Sequence, residues 1–225
     1  SGTAFLFSYF QSGVSDMANS KLIEVEKICY QSAETFSKLE IKLLYEIFLF
    51  AVYHLRDDLE GNGNFYKLIA QQYYQNRPKI YHTIKSNTSR SQSLKIGFLS
   101  KHFRRHSVGW CSQAVIRELS QITPEVHLYI TGPLKKDDIT QRFEQMSVKT
   151  YWPKKYPNGF ASYTEIVEQI LEDKLDVVVD LDSATLPVNV HILYEKPAPV
   201  CVSWLGFDAP YTVSYTHLTL PTMIR

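Results

Sequence analysis

The feature that most restricts the fold is a regular alternation of short apolar segments with amphipathic segments from residue 94 onward. The apolar segments predict strands at 94–100, 126–130, 148–152, 175–181 and 200–204, and the segments between them predict helices at 108–119, 137–146, 163–171 and 188–194. Strands that alternate with helices pair in parallel, with right-handed crossovers that cover both faces of the sheet. The sequence therefore predicts an α/β domain with a doubly wound, mostly parallel sheet over residues 94–212.

A helical segment precedes this domain over residues 1–85. Apolar side chains recur at helical intervals from Ile23 to Leu55, and residues 65–74 continue the pattern. Residues 57–64 are polar and contain two glycines, which predicts a turn. No internal period is convincing, so the helices fit a helical cap as well as the end of a repeat array. Residues 86–93 are rich in serine and predict a linker.

Composition and cysteine spacing restrict the partners and the compartment. The 24 Lys and Arg residues nearly balance the 23 Asp and Glu residues, so no overall charge favours nucleic acid or an acidic membrane surface. The most apolar stretch, 41–55, is shorter than the roughly 20 residues that span a bilayer, and it predicts a buried helix. Cys29, Cys111 and Cys201 are too far apart for a paired zinc or disulfide motif. We therefore expect free thiols in the cytoplasm, with no membrane or nucleic-acid partner.

Ligands of doubly wound sheets bind beyond the carboxyl ends of the strands, and the first loop there is basic. Residues 100–109 read SKHFRRHSVG, so Lys101, Arg104 and Arg105 accompany two histidines. The helix that follows presents backbone N–H groups and the positive end of its dipole, which favours an anion such as a phosphate. An equally good interpretation is a solvated basic loop in which one histidine caps the helix or packs. Neither a Gly-rich dinucleotide fingerprint nor a P-loop is present.

Two further loops follow predicted strands at the same edge. In residues 180–187 (DLDSATLP), Asp180 and Asp182 are candidates to orient a substrate hydroxyl or a histidine, or else are exposed acids that end the strand. No third ligand accompanies them, so we predict no metal. In residues 204–210 (WLGFDAP), Gly206 permits a close backbone approach, whereas Trp204 is expected to belong to the core.

Three segments together resemble glycosyltransferase family 41, the family of O-linked N-acetylglucosamine transferase and SPINDLY. They are LKIGFLSKHFRRHSVGW (94–110), LDVVVDLDSATLP (175–187) and KPAPVCVSWLGFDA (196–209), in the family's order and at its spacing. The resemblance implies the N-terminal Rossmann-like half of a GT-B catalytic region, preceded by tetratricopeptide and linking helices. It also implies inverting, metal-independent transfer of a sugar from a nucleotide donor to Ser or Thr hydroxyls of protein acceptors. N-acetylglucosamine from UDP-N-acetylglucosamine is the expected sugar, the donor is a substrate, and no cofactor is expected.

The resemblance also implies roles for individual residues. His106 matches a family histidine near the donor phosphate that has been considered as a catalytic base, and neighbouring arginines would lower its pKa. The other residues that we expect to bind substrate are Arg104, Arg105, Asp182, Thr185 and Gly206. Asp173 matches an acid once given a catalytic role, although its place at a helix end also fits a structural one.

The sequence departs from the family pattern at two places in these loops. Many relatives have an acid where this chain has His102, and many have GHT or GYT where it has Ser183, Ala184 and Thr185. Only Thr185 therefore carries over from the second motif.

Residues 213–225 are expected not to be protein-coding. Residues 213–222 read VSYTHLTLPT, which equals one conceptual translation of a transposon-type sequencing adapter, although a genuine edge strand is the alternative. On this interpretation the second GT-B domain is missing, and the fragment alone is expected to be inactive. Two other functions stay open: a non-catalytic protein-binding module with a degenerate α/β domain, and a GT-B enzyme that acts on lipid or small-molecule acceptors.

Overall fold

A computed structural model of the chain describes residues 2–52, 54–75, 93–146, 148–154 and 161–206. These residues fall into two compact units, one that ends before residue 80 and one that begins there. The predicted linker lies outside the described residues except for Ser93, and the predicted tail, 213–225, lies wholly outside them.

The first unit is helical, as the periodicity predicts. Its helices are α1 (Gly2–Gln11), α2 (Ser15–Ser32), α3 (Lys38–Val52) and α4 (Leu59–Tyr74), with a 3-10 turn at Ala33–Thr35. Helix α1 packs on α2, and α3 packs on α4. The buried stripe of α2 consists of Ala18, Leu22, Val25 and Cys29, whose spacing of three and four residues keeps them on one face. No helix in the described part of the chain is both long enough and apolar enough to cross a bilayer.

The turn predicted at 57–64 is wrong, because α4 already begins at Leu59. Asp58 caps the helix: its carboxylate accepts the backbone N–H of Gly61 at 2.9 Å. Asn62 is buried and accepts a hydrogen bond from Arg56 Nε at 2.6 Å. The cap and this buried contact offset the helix-breaking tendency of the two glycines.

The second unit is the predicted α/β domain. Its strands are β1 (Ile96–Ser100), β2 (Val126–Ile130), β3 (Lys149–Tyr151), β4 (Val177–Asp180) and β5 (Val200–Ser203), and its helices are α5 (Ser107–Ile122), α6 (Asp138–Glu144), α7 (Tyr163–Asp173) and α8 (Pro187–Glu195). The strands pair in the order β3-β2-β1-β4-β5, and every pair is parallel. The doubly wound sheet is therefore confirmed, with bounds within a few residues of those predicted.

Helices cover both faces of this sheet. On one face Phe98 of β1 and Leu128 of β2 join Ile116 of α5 and Phe143 of α6 in a buried core. On the other face the hydroxyl of Tyr129 reaches Asp173 at the end of α7. All five residues of β1 and of β2 are buried, as expected for central strands covered on two sides.

The strand order places a topological switch point between β1 and β4. The chain leaves β1 toward β2 on one side, whereas β4 lies on the other side, which is the arrangement that opens a crevice beyond these strands in doubly wound sheets. Ligands of doubly wound sheets bind in this crevice. Residues 101–106 follow β1 and residues 181–186 follow β4. They belong to the first two of the three loops singled out by the sequence, 100–109 and 180–187.

Candidate functional site

A buried hydrogen-bond network joins the two loops at the switch point. Asp182 accepts a hydrogen bond from Ser100 Oγ and another from the backbone N–H of Lys101, each at 2.9 Å. Ser100 Oγ in turn accepts the backbone N–H of His102 at 2.8 Å. The Asp182 carboxylate, on the loop after β4, therefore fixes the start of the loop after β1.

The alternative that Asp180 and Asp182 are exposed acids is wrong, because both are fully buried. Asp180 Oδ1 accepts the backbone N–H groups of Asp182 and Ser183 and the side-chain amide of Asn189, at 3.0, 3.2 and 2.6 Å. Burial, and then the neighbouring Asp180 charge, raises the pKa of Asp182 to about 7. Both carboxylates accept their hydrogen bonds from groups of the protein.

His106 is the N-cap of α5. Its backbone is extended, and its Nδ1 accepts the backbone N–H of Val108 at 3.2 Å. Because Nδ1 acts as an acceptor, the neutral ring carries its proton on Nε2, which is then a hydrogen-bond donor. Helix capping, one of the two roles that the sequence left open for a histidine in this loop, is therefore observed.

Gly109 allows the loop to lie against the first turn of α5. A Cβ atom at this position would come within 2.2 Å of the Arg104 carbonyl oxygen and 2.8 Å of that of His102. Since these are backbone atoms, no side-chain rotation can make room for it. The loop and the helix start consequently form one closely packed piece.

The rings of His102 and His106 stack, with centroids 3.7 Å apart and planes 10° apart. Burial lowers the pKa of His102 to about 4, with further contributions from His106, Lys101 and Arg104. Burial also lowers the pKa of His106, and the positive charges that add to this effect are those of Arg104 and Lys101. Both imidazoles are therefore neutral at physiological pH, in an environment that favours anions.

The two predicted arginines differ in their partners. Arg105 pairs with Asp138 at the start of α6, with Nη2 2.7 Å from Oδ1, and its backbone N–H donates to Asp137 at 2.6 Å. Within the described residues, no acid lies within ion-pair distance of Arg104, whose charge acts on both histidines. Arg104 is thus better placed than Arg105 to meet an anionic ligand.

Thr185 and Gly206 lie at the same edge of the sheet. The hydroxyl of exposed Thr185 donates to the Asp182 carbonyl, and a Cβ at Gly206 would lie 2.5 Å from that carbonyl oxygen. Gly206 has a φ of 74°, and the adjacent Leu205 and nearby Ser183 also have positive φ, at 65° and 51°. Such backbone strain is common at ligand sites.

Trp204 belongs to the core, as expected. Its ring packs partly buried against the cluster formed by β1, β2, α5 and α6. Its backbone N–H donates to the Asp180 carbonyl at 2.8 Å.

Asp173 lies away from this edge. It ends α7, which leads toward the amino end of β4, and its Oδ2 accepts the Tyr129 hydroxyl at 2.5 Å and lies 3.4 Å from His127 Nδ1. Its contacts are therefore those of a structural residue, the second of the two roles considered for it.

Sequence reasoning missed three polar residues at the site. Ser100 joins the two loops, Asn189 of α8 binds Asp180, and Thr131 follows β2 with its hydroxyl buried and without a partner. Each is a single polar residue within or directly after an apolar segment, and that pattern is the signal that could have identified them.

No group of three or more His, Cys, Asp or Glu side chains within the described ranges is arranged to hold a metal ion.

Comparison with known proteins gives relatives of one family. The SPINDLY proteins of Hordeum vulgare and Oryza sativa subsp. japonica, each described as a probable UDP-N-acetylglucosamine–peptide N-acetylglucosaminyltransferase, are 27% and 26% identical over 150 residues. These matches cover 66% of this chain but only 14% and 15% of the relatives. This chain therefore spans a small part of their length.

A solved structure supports the fold. A mutant of the Thermobaculum terrenum O-GlcNAc transferase matches with a TM-score of 0.52 at 20% identity, over 92% of this chain and 35% of the other.

The family model for glycosyl transferase family 41 matches residues 68–221, which is more than half of the chain. The matched range contains β1 to β5 and the whole switch-point crevice, and it also includes residues 213–221 of the predicted tail. This chain therefore belongs to glycosyl transferase family 41.

Proposed function

We propose that the natural protein containing this chain transfers a sugar from a nucleotide sugar to Ser or Thr hydroxyls of proteins. The observation that carries the proposal is the switch-point crevice, where the capped start of α5, the stacked histidines and Arg104 meet. Family membership and the descriptions of the plant relatives support the reaction class. They also support UDP-N-acetylglucosamine as the donor, which is a substrate and not a cofactor.

The chemistry that we propose centres on the leaving diphosphate. As the glycosidic bond to the nucleotide breaks, negative charge develops on the phosphate oxygens, and preorganised positive groups stabilise it. Arg104, Lys101 and the N-terminal end of the α5 dipole supply that positive potential. We propose that these groups take the role that a divalent metal has in other transferases, so that transfer needs no metal.

His106 is the catalytic residue of this proposal. Its Nε2–H can donate to an oxygen that gains charge during transfer. The base role implied by the family resemblance would require the ring to give up the Val108 cap and change its tautomer. The acceptor oxygen attacks the anomeric carbon on the face opposite the diphosphate as the bond to the diphosphate breaks, which inverts the configuration. The hydroxyl proton passes to a phosphate oxygen of the departing nucleotide.

The test separates the cap from the chemistry by comparing two variants of the natural protein. His106→Asn keeps a side-chain acceptor for the Val108 N–H but lacks the imidazole, whereas His106→Ala lacks both. We expect both variants to lose sugar transfer to protein acceptors by about 100-fold or more in kcat. Only His106→Ala should also lose about 1 kcal/mol of stability.

Three outcomes would contradict the proposal. If His106→Asn transfers sugar as fast as the wild type, the imidazole has no catalytic role. If the wild-type protein transfers sugar to no protein acceptor while it still binds protein partners, the non-catalytic module is the better reading. Transfer to lipid or small-molecule acceptors alone would contradict the acceptor class.

We also propose a cytoplasmic location. Cys29, Cys111 and Cys201 are all free thiols, and two of them are buried. This arrangement suits a reducing compartment. Fractionation of cells that express the natural protein tests this proposal.

A further inference from the structure

The stacked ring of His102 has no assigned role, although it covers one face of His106. At a centroid separation of 3.7 Å the two rings are in van der Waals contact. The His106 ring therefore cannot turn about its Cβ–Cγ bond without displacing His102.

His102 is itself fixed by the network at the switch point. Its backbone N–H donates to Ser100 Oγ, which donates to buried Asp182, and its carbonyl accepts the Arg104 N–H at 2.6 Å. The next residue, Phe103, is fully buried in the core of the sheet. The backbone of His102 is thus fixed by the α/β core, and its ring lies against that of His106.

The stack also requires that the two rings are not both protonated. Two imidazolium ions 3.7 Å apart would repel strongly, and Lys101 and Arg104 add positive charge nearby. His102 Nδ1 is buried and makes no hydrogen bond, which suits an uncharged ring. Burial and the charges of Arg104 and Lys101 lower the pKa of His106, so its Nδ1 is unprotonated and accepts the Val108 N–H.

We propose that His102 is a positioning residue, whose stacked ring holds His106 on the Val108 N–H and so keeps the proton of the neutral His106 ring on Nε2. The proposal rests on the proposed function for its catalytic consequence only. Its structural part concerns one tautomer and one ring orientation, and both can be observed without any sugar transfer.

The first experiment observes the imidazole nitrogens of the 225-residue chain directly. Long-range ¹H–¹⁵N NMR distinguishes a protonated from an unprotonated ring nitrogen. We compare the wild type with His102→Phe, which keeps a flat ring, and His102→Ala, which removes it. His191→Ala, on α8, is the control for the loss of a histidine outside the site.

We expect the wild type and His102→Phe to show His106 with its proton on Nε2, and His102→Ala to show an average of both tautomers. The backbone amide spectrum verifies that each variant is folded, and His102→Gln replaces any variant that is not. An Nδ1–H tautomer in the wild type would overturn the proposal. So would an unchanged His106 in a folded His102→Ala or His102→Gln variant.

The second experiment measures sugar transfer by the natural protein. His102→Ala should misplace His106 and so lower kcat by about tenfold, while the KM for the donor stays the same. His102→Phe, which keeps a flat ring, should retain most of the wild-type kcat. A rise in the donor KM with kcat unchanged contradicts a positioning role. So does the absence of rescue by His102→Phe. Absence of transfer by the wild type would contradict the proposed function, whereas the tautomer measurement would still decide the role of His102.

Discussion

At the residue scale, the least expected feature is a pair of buried carboxylates beneath the crevice. Asp180 accepts three N–H donors, whereas burial, and then the Asp180 charge, raises the pKa of Asp182 to about 7. Asp182 is therefore an acid that holds its proton to a higher pH than an ordinary aspartate does.

The raised pKa of Asp182 predicts that the stability of the fold depends on pH. In the unfolded chain Asp182 has an ordinary pKa of about 3.9, so between roughly pH 4 and 7 the folded state holds a proton that the unfolded state has released. The contribution of Asp182 to the free energy of unfolding should therefore fall as pH rises through that window, by at most about 1.4 kcal/mol per pH unit. His102 and His106, whose pKa values are lowered, contribute in the opposite direction, so the Asp182 contribution is measured as a difference between the wild type and a variant. Asp182→Asn removes this titration, so the free energy of unfolding of the wild type minus that of the variant should fall as pH rises from 4.5 to 7.5 in urea unfolding.

Asp138→Asn is the control for this measurement. Pairing with Arg105 holds the pKa of Asp138 below its ordinary value, so the stability that it contributes is lost only as pH falls below the measured window. Its pH profile should parallel that of the wild type. Parallel profiles for Asp182→Asn and the wild type would contradict the raised pKa of Asp182.

At the element scale, sequence patterns predicted the α/β unit well and the caps poorly. The five apolar segments were correctly predicted as strands. Strands that are buried on both faces of a sheet need a run of apolar residues, and such a run can be read directly in the sequence. Helix α4 was missed at its start because glycine and asparagine predict turns, and the contacts that outweigh them, Asp58 to Gly61 and Arg56 to Asn62, depend on the folded geometry. The ion pair of Arg105 with Asp138 was not predicted for the same reason. The sequence does not show that α6 begins beside the loop after β1.

The start of α6 gives a prediction at this scale. Asp137 accepts the backbone N–H groups of Ile139 and Thr140, each at 3.0 Å, and also that of Arg105, whereas Asp138 makes exposed ion pairs. We expect Asp137→Ala to lower the free energy of unfolding, because it removes a cap and a loop contact together.

The matched variant at the next position is Asp138→Ala. Exposed ion pairs contribute little, so this substitution should change the free energy of unfolding far less than Asp137→Ala does. Thermal and urea unfolding measure both variants. Equal losses for the two substitutions would mean that α6 is held by charge and not by its cap.

At the scale of the whole molecule, each unit has a core of its own. Phe98 of β1 is buried in the core of the α/β unit, and Phe65 of α4 is fully buried in the helical unit. Large-to-small substitution at such positions costs about 3–5 kcal/mol, through lost burial and the cavity left behind.

Hydrogen exchange followed by mass spectrometry can locate that loss. Phe98→Ala should accelerate amide exchange in β1, β2 and β4, and Phe65→Ala should accelerate exchange in α3 and α4. Trp110→Ala, an exposed position on α5, is the control and should leave exchange in the strands unchanged. Unchanged exchange in the strands of Phe98→Ala would contradict the assignment of Phe98 to the core.

The Asp182 carboxylate joins the loop after β1 to the loop after β4 through protein atoms alone. A ligand that enters the crevice therefore meets walls whose separation is already set, and little conformational entropy remains to be lost from them on binding. Discrimination between ligands at this wall should accordingly follow shape and charge, since neither loop can shift to accommodate a poor fit without breaking a buried hydrogen bond.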